Sequence, residues 1–313
     1  MHKPTSTDVL FHHYPQSPVS EKVRVVFGMK QLAWYSVEIP RIPPKPDLMP
    51  LTGGYRRTPV MQIGADIYCD SIGIIAELER RYPTNPIVDS GQVMAGWGAS
   101  RWTDGELFTL SVGVVLGSAV ADLPPEFAND RGRLYFGPDF DLAAEGQDLA
   151  HKLAQIRARL SWIERDLADG RAYIGGERPR LEDALTYYIT WFLRGRYAGG
   201  PALLEAFPKL LAWEQRVLAL GHGDSTSLSS ATALELAVAN EPQTATEVLA
   251  DDPLGLVAGQ AVIVVPDGDG GDPAVRGELV VLNHDTIAIA RHDPRAGNLV
   301  VHFPRAGYRV SAV

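Results

Sequence analysis

Three short segments carry residue types whose spacing could hold a small anionic ligand and tune its acidity. The first is Ser17-Pro18-Val19-Ser20. Serine is a favoured N-cap, and proline is tolerated at the first helical position, where its missing N–H would have no partner anyway. The remaining N–H groups and the positive end of the helix dipole favour an anion there, a thiolate among them. The second segment is Arg57-Thr58-Pro59-Val60. A residue ahead of proline is pushed towards extended backbone, and X-Pro bonds are where cis peptides occur. The third is Asp70-Ser71, where serine caps a helix and the carboxylate meets its dipole. Each segment also has a plainer alternative: a capped helix, a strand entry, and a second capped helix.

The elements that would position these residues follow from the surrounding pattern. Val9-Leu10-Phe11 predicts a strand, and Val19 to Leu32 a helix with Val23, Val26 and Phe27 at helical spacing. Tyr35 to Ile39 alternates as a second strand, and a proline-rich loop follows through Pro50. Val60 to Ile63 and Asp66 to Cys69 predict two strands around Gly64-Ala65. Ser71 to Arg81 predicts a helix that stops before Pro83. The order β-α-β-loop-β-β-α is a small α/β domain, assigned to residues 7–83.

Residues 90–221 read as all-helical, with helices expected at 91–120, 181–194 and 201–220. Leu142, Leu149, Leu153, Ile156, Leu160, Ile163 and Leu167 mark one face of a long amphipathic helix, and that row is core. Residues 222–313 form an extension: a serine-rich linker and a helix from Ser229 to Ala239, then a β-rich unit from about residue 254. Its strands are expected at Ala261–Val265, Glu278–Leu282, Thr286–Ala290, Leu299–Phe303 and Tyr308–Val313. Short strands at even spacing suggest a small antiparallel barrel.

Charge is uneven along the chain. The 29 Lys+Arg and 38 Asp+Glu give a net −9, the wrong sign for a protein held to nucleic acid or anionic lipid by a general positive field. From Gly221 onward there are 12 acids and 5 bases, so the extension carries −7 of that charge and the body is close to neutral. A single cysteine, Cys69, excludes an internal disulfide framework and a multi-cysteine metal site; a buried structural thiol fits its apolar strand. The N-terminal MHKPTSTDVLF has no signal-like apolar run, and the apolar stretch Leu110 to Leu123 is shorter than the ~20 residues of a membrane span. A cytoplasmic location with no membrane or nucleic-acid partner is the expectation.

Other chemistry-bearing residues are less well arranged. His12-His13 lack a metal-ligand spacing and are expected to line the loop beside the ligand or to face solvent. His284, His292 and His302 sit in or beside separate strands. The run Asp267-Gly268-Asp269-Gly270-Gly271 lacks the lysine of a phosphate loop and the glutamate of a calcium loop, and reads as a turn. No metal site is expected. Trp97, Trp102, Tyr135 and Phe136 are either core or the lining of a second-substrate pocket.

In their joint order these motifs resemble the glutathione S-transferase superfamily, in its serine-type, bacterial-like form, from about Asp8 to Gly221. The resemblance rests on Ser17 to Arg24 (S-P-x-S-x-K-V-R), on Thr58-Pro59-Val60 and on Asp70-Ser71. Tyr173-Ile174-Gly175-Gly176 followed by Leu181-Glu182-Asp183-Ala184 adds the family's capping segment with its buried aspartate. The family has serine or threonine where this chain has Arg180, which implies a weaker cap. The resemblance implies a thioredoxin-like domain, an all-helical domain, glutathione as co-substrate and a homodimer.

It also implies roles. Ser17 would donate a hydrogen bond to the glutathione sulfur, with Tyr14 as a fallback activator. Pro59 matches the cis-proline, and Thr58 or Val60 would pair with the cysteinyl backbone. Ser71 would take the γ-glutamyl carboxylate and Asp70 its ammonium, while Arg56 or Arg57 would face the glycyl carboxylate, surface solubility being the competing explanation of that pair. Serine at both 17 and 20, where cysteine-type relatives carry cysteine, disfavours mixed-disulfide chemistry. The implied activity is attack of the glutathione thiolate on a small, hydrophobic electrophile. The alternative is a non-catalytic binding or regulatory protein that uses the C-terminal β unit as an interaction surface.

Overall fold

Apolar β-branched runs and turn residues build most of one sheet. The computed structural model describes residues 3–268 and 272–313. Its elements are, in order, β1 (Leu10–His13), α1 (Pro18–Lys30), β2 (Ala33–Glu38), α2 (Leu48–Thr52), β3 (Val60–Ile63), β4 (Asp66–Cys69) and α3 (Ser71–Arg81). The helical stretch holds α4 (Val93–Arg101), a π-helical turn Trp102–Leu107, α5 (Phe108–Ala119), α6 (Pro125–Phe136), α7 (Leu142–Gln147) and α8 (Leu149–Asp166). It continues with α9 (Leu181–Arg196), α10 (Gly200–Glu205) and α11 (Pro208–Ala219). The extension comprises β5 (Asp224–Leu228), α12 (Ser230–Val238), β6 (Glu247–Val248), β7 (Ala261–Pro266), β8 (Val275–Leu282), β9 (Thr286–Asp293), β10 (Gly297–Pro304) and β11 (Tyr308–Ala312). The turn expected at Asp269, Gly270 and Gly271 lies outside the described residues.

The chain falls into two compact units. One contains the residues up to Ser20, residues 33–78 and residues 224–313; the other contains residues 21–32 and 79–223. In the first, β1 pairs in parallel with β2, and antiparallel β3 and β4 complete a four-stranded thioredoxin-like sheet. Such a sheet has two open edges, and open edges invite pairing. The extension covers both. β5 joins β2 in parallel with Tyr35 opposite Thr226, and β10 joins β4 in parallel with Val301 opposite Ile67. The order across the whole sheet is β5-β2-β1-β3-β4-β10-β9-β8-β7-β11, with β6 on β8.

The antiparallel strands expected in the extension are therefore present, and they continue the thioredoxin-like sheet through β10. One apolar core serves both parts: Leu48, Leu51, Val60, Ile67 and Cys69 pack in the same cluster as Val264, Leu279, Val301 and Phe303. A polar clasp reinforces the junction. Asp66 accepts from Thr244 Oγ1 at 2.6 Å and from the Gln243 N–H at 2.8 Å, and lies 3.0 Å from His302 Nε2, whose ring stacks on Tyr68. Burial opposes ionisation of Asp66, but the His302 and Thr244 hydrogen bonds and the Gln243 N–H outweigh it and hold the carboxyl below its ordinary range.

Several elements differ from the sequence expectation. The linker segment Asp224–Leu228 is a strand: it is held by backbone pairing to β2, while its side chains are mostly exposed and show no apolar alternation to read. The leucine row of residues 142–167 spans two helices, α7 and α8, that break at Asp148. Gly117 and Gly146 cross there so closely that a Cβ on Gly146 would lie 2.6 Å from the Gly117 carbonyl. The span 201–220 is divided by Pro208, whose ring disfavours a helical Phe207. The helix α6 was not anticipated. The run Val93–Asp122 is, by length and composition, apolar enough to cross a bilayer, more than the stretch from Leu110 suggests, but half of its apolar window is buried inside the protein. Its π turn carries Asp104, which accepts from Lys22 Nζ at 2.7 Å and from the Tyr188 hydroxyl at 2.8 Å.

Candidate functional site

Sheet register brings the three segments together. His12, one residue before the end of β1, lies opposite Val60 at the start of β3, and Val60 lies opposite Cys69 at the end of β4. The chain leaves β1 towards Ser17, enters β3 from Thr58-Pro59 and leaves β4 into Asp70-Ser71, so all three lie at one end of the sheet.

Ser17 precedes α1, is nearly inaccessible, and its Oγ accepts the Ser20 N–H at 3.1 Å. Its own N–H donates to the Tyr14 carbonyl at 3.1 Å, and Tyr14 is buried. The Thr58–Pro59 bond is cis, as is Pro43–Pro44. Val60 and Ser71 are buried, and Ser71 opens α3. Asp70 has a φ of +70°, a left-handed conformation unusual for a residue with a side chain; its Oδ1 accepts the Ile72 N–H at 2.9 Å.

Two charged members of the set are bonded to the extension. The Tyr308 hydroxyl donates to Asp70 Oδ2 at 3.1 Å and lies 3.4 Å from the Tyr55 hydroxyl. Burial, and then the Asp70 charge, push both phenols well above their ordinary range, so they stay protonated. Arg57 Nε donates to Asp272 Oδ2 at 2.8 Å and Arg57 Nη2 donates to the same oxygen; Arg56 Nε lies 3.4 Å from Asp272 Oδ1. The Asp272 side chain is 3% exposed. Lys45, which no motif singled out, is also buried here: its Nζ donates to the Arg56 carbonyl and to Thr58 Oγ1, both at 2.8 Å. A lysine set among prolines, Ile42-Pro43-Pro44-Lys45-Pro46, was the only signal available for it. Asp272 and Tyr308 had none, because they reach the site from residues more than two hundred positions away.

The remaining candidates serve structure, and His12 and His13, expected in a loop or facing solvent, are instead buried within β1. His12 Nε2 lies 3.0 Å from Gln62 Oε1 inside the sheet, and burial lowers its pKa to about 4 against the raising effect of that bond. His13 lies 2.8 Å from Ser36 Oγ. Cys69 is fully buried, and burial followed by the neighbouring Asp70 charge pushes its thiol well above the ordinary range. His302 belongs to the Asp66 clasp and His292 pairs with Asn298. Among the described residues, no group of three or more His, Cys, Asp or Glu side chains is placed to hold a metal ion. In the helical unit Trp102 stacks on Trp162, and Tyr135 meets Phe108 edge-on. Trp97 and Phe136 are half-buried.

The capping segment in that unit is intact. Asp183 accepts from the N–H groups of Ile174 at 2.7 Å, Gly175 at 3.3 Å and Arg180 at 2.8 Å, and from Trp213 Nε1 at 2.7 Å. The Arg180 side chain cannot accept a backbone N–H, as a serine would. It donates instead to the Pro86 carbonyl and pairs with Asp89.

Comparison with known proteins agrees with this architecture. Residues 11–86 match the family described as glutathione S-transferase, N-terminal domain, and residues 146–216 match glutathione S-transferase, C-terminal domain. A GST-like protein from Pseudomonas syringae is similar in structure with a TM-score of 0.80 and 34% sequence identity, over 98% of this chain and 100% of that one. The likeness therefore runs through the C-terminal strands. A Tau class glutathione S-transferase from mango, Mangifera indica, superposes with a TM-score of 0.51 at 16% identity, over 68% of this chain and 89% of that one. A beta-etherase from Sphingobium sp. strain SYK-6 gives a TM-score of 0.52 at 14% identity, over 68% and 96%. These two share the fold alone. No curated protein matches the sequence.

Proposed function

The chain belongs to the glutathione S-transferase superfamily, and on that footing we propose that its thioredoxin-like part binds glutathione and stabilises the thiolate for attack on a small, hydrophobic electrophile. The observation that supports this most is the sheet register, which gathers the Ser17 loop, the Thr58-Pro59-Val60 turn and Asp70-Ser71 at one end of the sheet.

The chemistry follows from these groups. A free thiol ionises at a pKa of about 8.5, so little thiolate exists at neutral pH. A hydroxyl accepts and donates at once, so Ser17 accepting the Ser20 N–H is compatible with its donating to sulfur. That donated bond and the N-terminal end of α1 lower the thiol pKa. The backbone at Thr58 and Val60 holds the cysteinyl part, and Ser71 and Asp70 hold the γ-glutamyl carboxylate and ammonium. Arg57 or Arg56 faces the glycyl carboxylate. Ser17 is a donor to the nucleophile and is not itself the nucleophile. The reading includes a cytoplasmic homodimer.

Ser17→Ala tests it. The bound thiol's pKa, read from thiolate ultraviolet absorbance, is expected to rise by about one unit, equivalent to ~1.4 kcal/mol, with turnover of a model electrophile falling roughly tenfold at neutral pH. Glutathione affinity should change far less. Wild-type protein that does not bind glutathione would remove the proposal. A second reading, a binding or regulatory protein without catalysis, draws support from the engagement of Arg57 and Asp70 by the extension. Bound glutathione with an unshifted thiol pKa would favour it.

A further inference from the structure

The extension reaches the γ-glutamyl end of the proposed site through one tyrosine. Tyr308 opens β11, which lies five places from β4 in the order of the sheet. At a strand spacing of about 4.8 Å, a flat sheet would hold β11 roughly 24 Å from β4, far beyond the reach of a tyrosine side chain. The Tyr308 hydroxyl is nevertheless 3.1 Å from Asp70 Oδ2. The outer strands therefore curl back, and the last of them delivers a phenol to the residue that follows β4.

That phenol is held from behind. Its ring packs on Phe303 with centroids 5.3 Å apart, and Phe303 meets Tyr55 edge-on at 6.0 Å. Tyr308 and Tyr55 are both buried, and their hydroxyls lie 3.4 Å apart. Tyr308 has one hydrogen to give and a carboxylate can only accept, so that hydrogen goes to Asp70. Burial keeps both phenols protonated.

Asp70 needs two fixed points. The torsion that turns the plane of an aspartate carboxylate is broad, so a single hydrogen bond leaves the group able to swivel. The Ile72 N–H, in the first turn of α3, holds Oδ1 at 2.9 Å, and Tyr308 holds Oδ2. One bond to each oxygen fixes the plane. A carboxylate accepts at about four positions, so these two bonds leave it able to accept from an ammonium. Asp70 is half-buried, with part of its surface open to solvent.

We infer that Tyr308 is a positioning residue for γ-glutamyl recognition, fixing the Asp70 carboxylate in the plane in which it takes the ligand's α-ammonium. The inference rests on the glutathione-site reading given above. It gives the far end of the chain a part in ligand discrimination. A thiol without an α-amino group makes no use of Asp70 and gains nothing from Tyr308.

The test is calorimetric titration of the full chain with glutathione and with glutaryl-cysteinyl-glycine, which is glutathione without its α-amino group. Wild type is expected to prefer glutathione roughly tenfold, the size of a hydrogen bond to a charged group. Tyr308→Phe keeps the ring and removes the hydroxyl. It is expected to lower that ratio about fivefold, a moderate coupling between neighbouring groups, through a loss of glutathione affinity with the glutaryl compound binding as before. Phe303→Leu disturbs the same aromatic cluster without removing a bond to Asp70, and is expected to keep the wild-type ratio. Because the readout is a ratio within one protein sample, partial unfolding of a variant does not imitate the result. A Tyr308→Phe ratio at or above that of wild type overturns the inference while leaving glutathione binding in place. So does a wild type without the preference, or a Phe303→Leu variant that loses it equally. Failure of wild type to bind either thiol overturns the glutathione reading, and this inference with it.

Discussion

Replacing Asp183 with alanine is expected to destabilise the protein by about 3–5 kcal/mol, enough to leave much of it unfolded or insoluble. The carboxylate is fully buried, with three backbone N–H groups and the Trp213 indole N–H aimed at its two oxygens. Alanine removes every acceptor while the donors stay in place, and each buried donor left without a partner costs roughly 1–3 kcal/mol. The donors come from three places: the turn at Ile174-Gly175, the entry to α9 and the middle of α11. The loss is therefore one of tertiary structure and not of a single cap. Asp183→Asn should lie between wild type and alanine, since one oxygen survives while the new amide group faces donors. Urea denaturation of the three proteins measures the order. A loss below about 1 kcal/mol for alanine would mean that water satisfies the donors.

Acid is expected to weaken the fold through His12. Its folded pKa is about 4 against an ordinary 6.5, and burial is the main cause. Between those values the unfolded chain binds a proton that the folded chain refuses. Stability from this group is therefore present above pH 6.5 and lost as the pH falls towards 4, by up to about 3 kcal/mol. Burial keeps the ring neutral, and Gln62 explains which nitrogen carries hydrogen. The Gln62 amide nitrogen donates to the Gly64 and Ala233 carbonyls, so its oxygen is turned to His12 and accepts from Nε2–H. His12→Gln keeps a donor there and removes the titration. Denaturation at several pH values should show a shallower slope between pH 6.5 and 4 for the variant, other acidic and basic groups being common to both proteins. Equal slopes would remove His12 as the cause.

Legibility in the sequence followed the physics of each element. β3, β4 and α3 were readable because apolar alternation, a glycine turn and a proline stop mark them locally, and β7 to β11 were readable for the same reason, whereas the two-residue β6 was not. β5 was not, since Asp224-Ser225-Thr226-Ser227 shows no apolar alternation and the segment is held by main-chain bonds to β2. The break between α7 and α8 was invisible because a spacing of seven, from Leu142 to Leu149, is preserved across it. Ser17, Thr58-Pro59 and Asp70-Ser71 were found through capping and proline chemistry, which is local. Asp272 and Tyr308 act on that set across a distance in sequence that no spacing encodes. The acidity of the extension was visible, but a net charge does not say that one of its carboxylates turns inward onto Arg57.

The split construction of the α/β unit has a consequence for synthesis. Its first strands emerge early, but the partners of β2 and β4, and much of the core around Val60, Ile67 and Cys69, are made last. The other compact unit, residues 21–32 and 79–223, is completed before the extension is made. During that interval the nascent chain carries two bare strand edges and a half-formed apolar face, the condition in which chains aggregate or recruit chaperones. Ribosome-stalled chains ending near residue 240 should therefore be protease-resistant in the helical segment and sensitive before it, with protection of β1 to β4 arriving only once β10 has been made. A shortened protein lacking the extension is expected to lose the thioredoxin-like part with it.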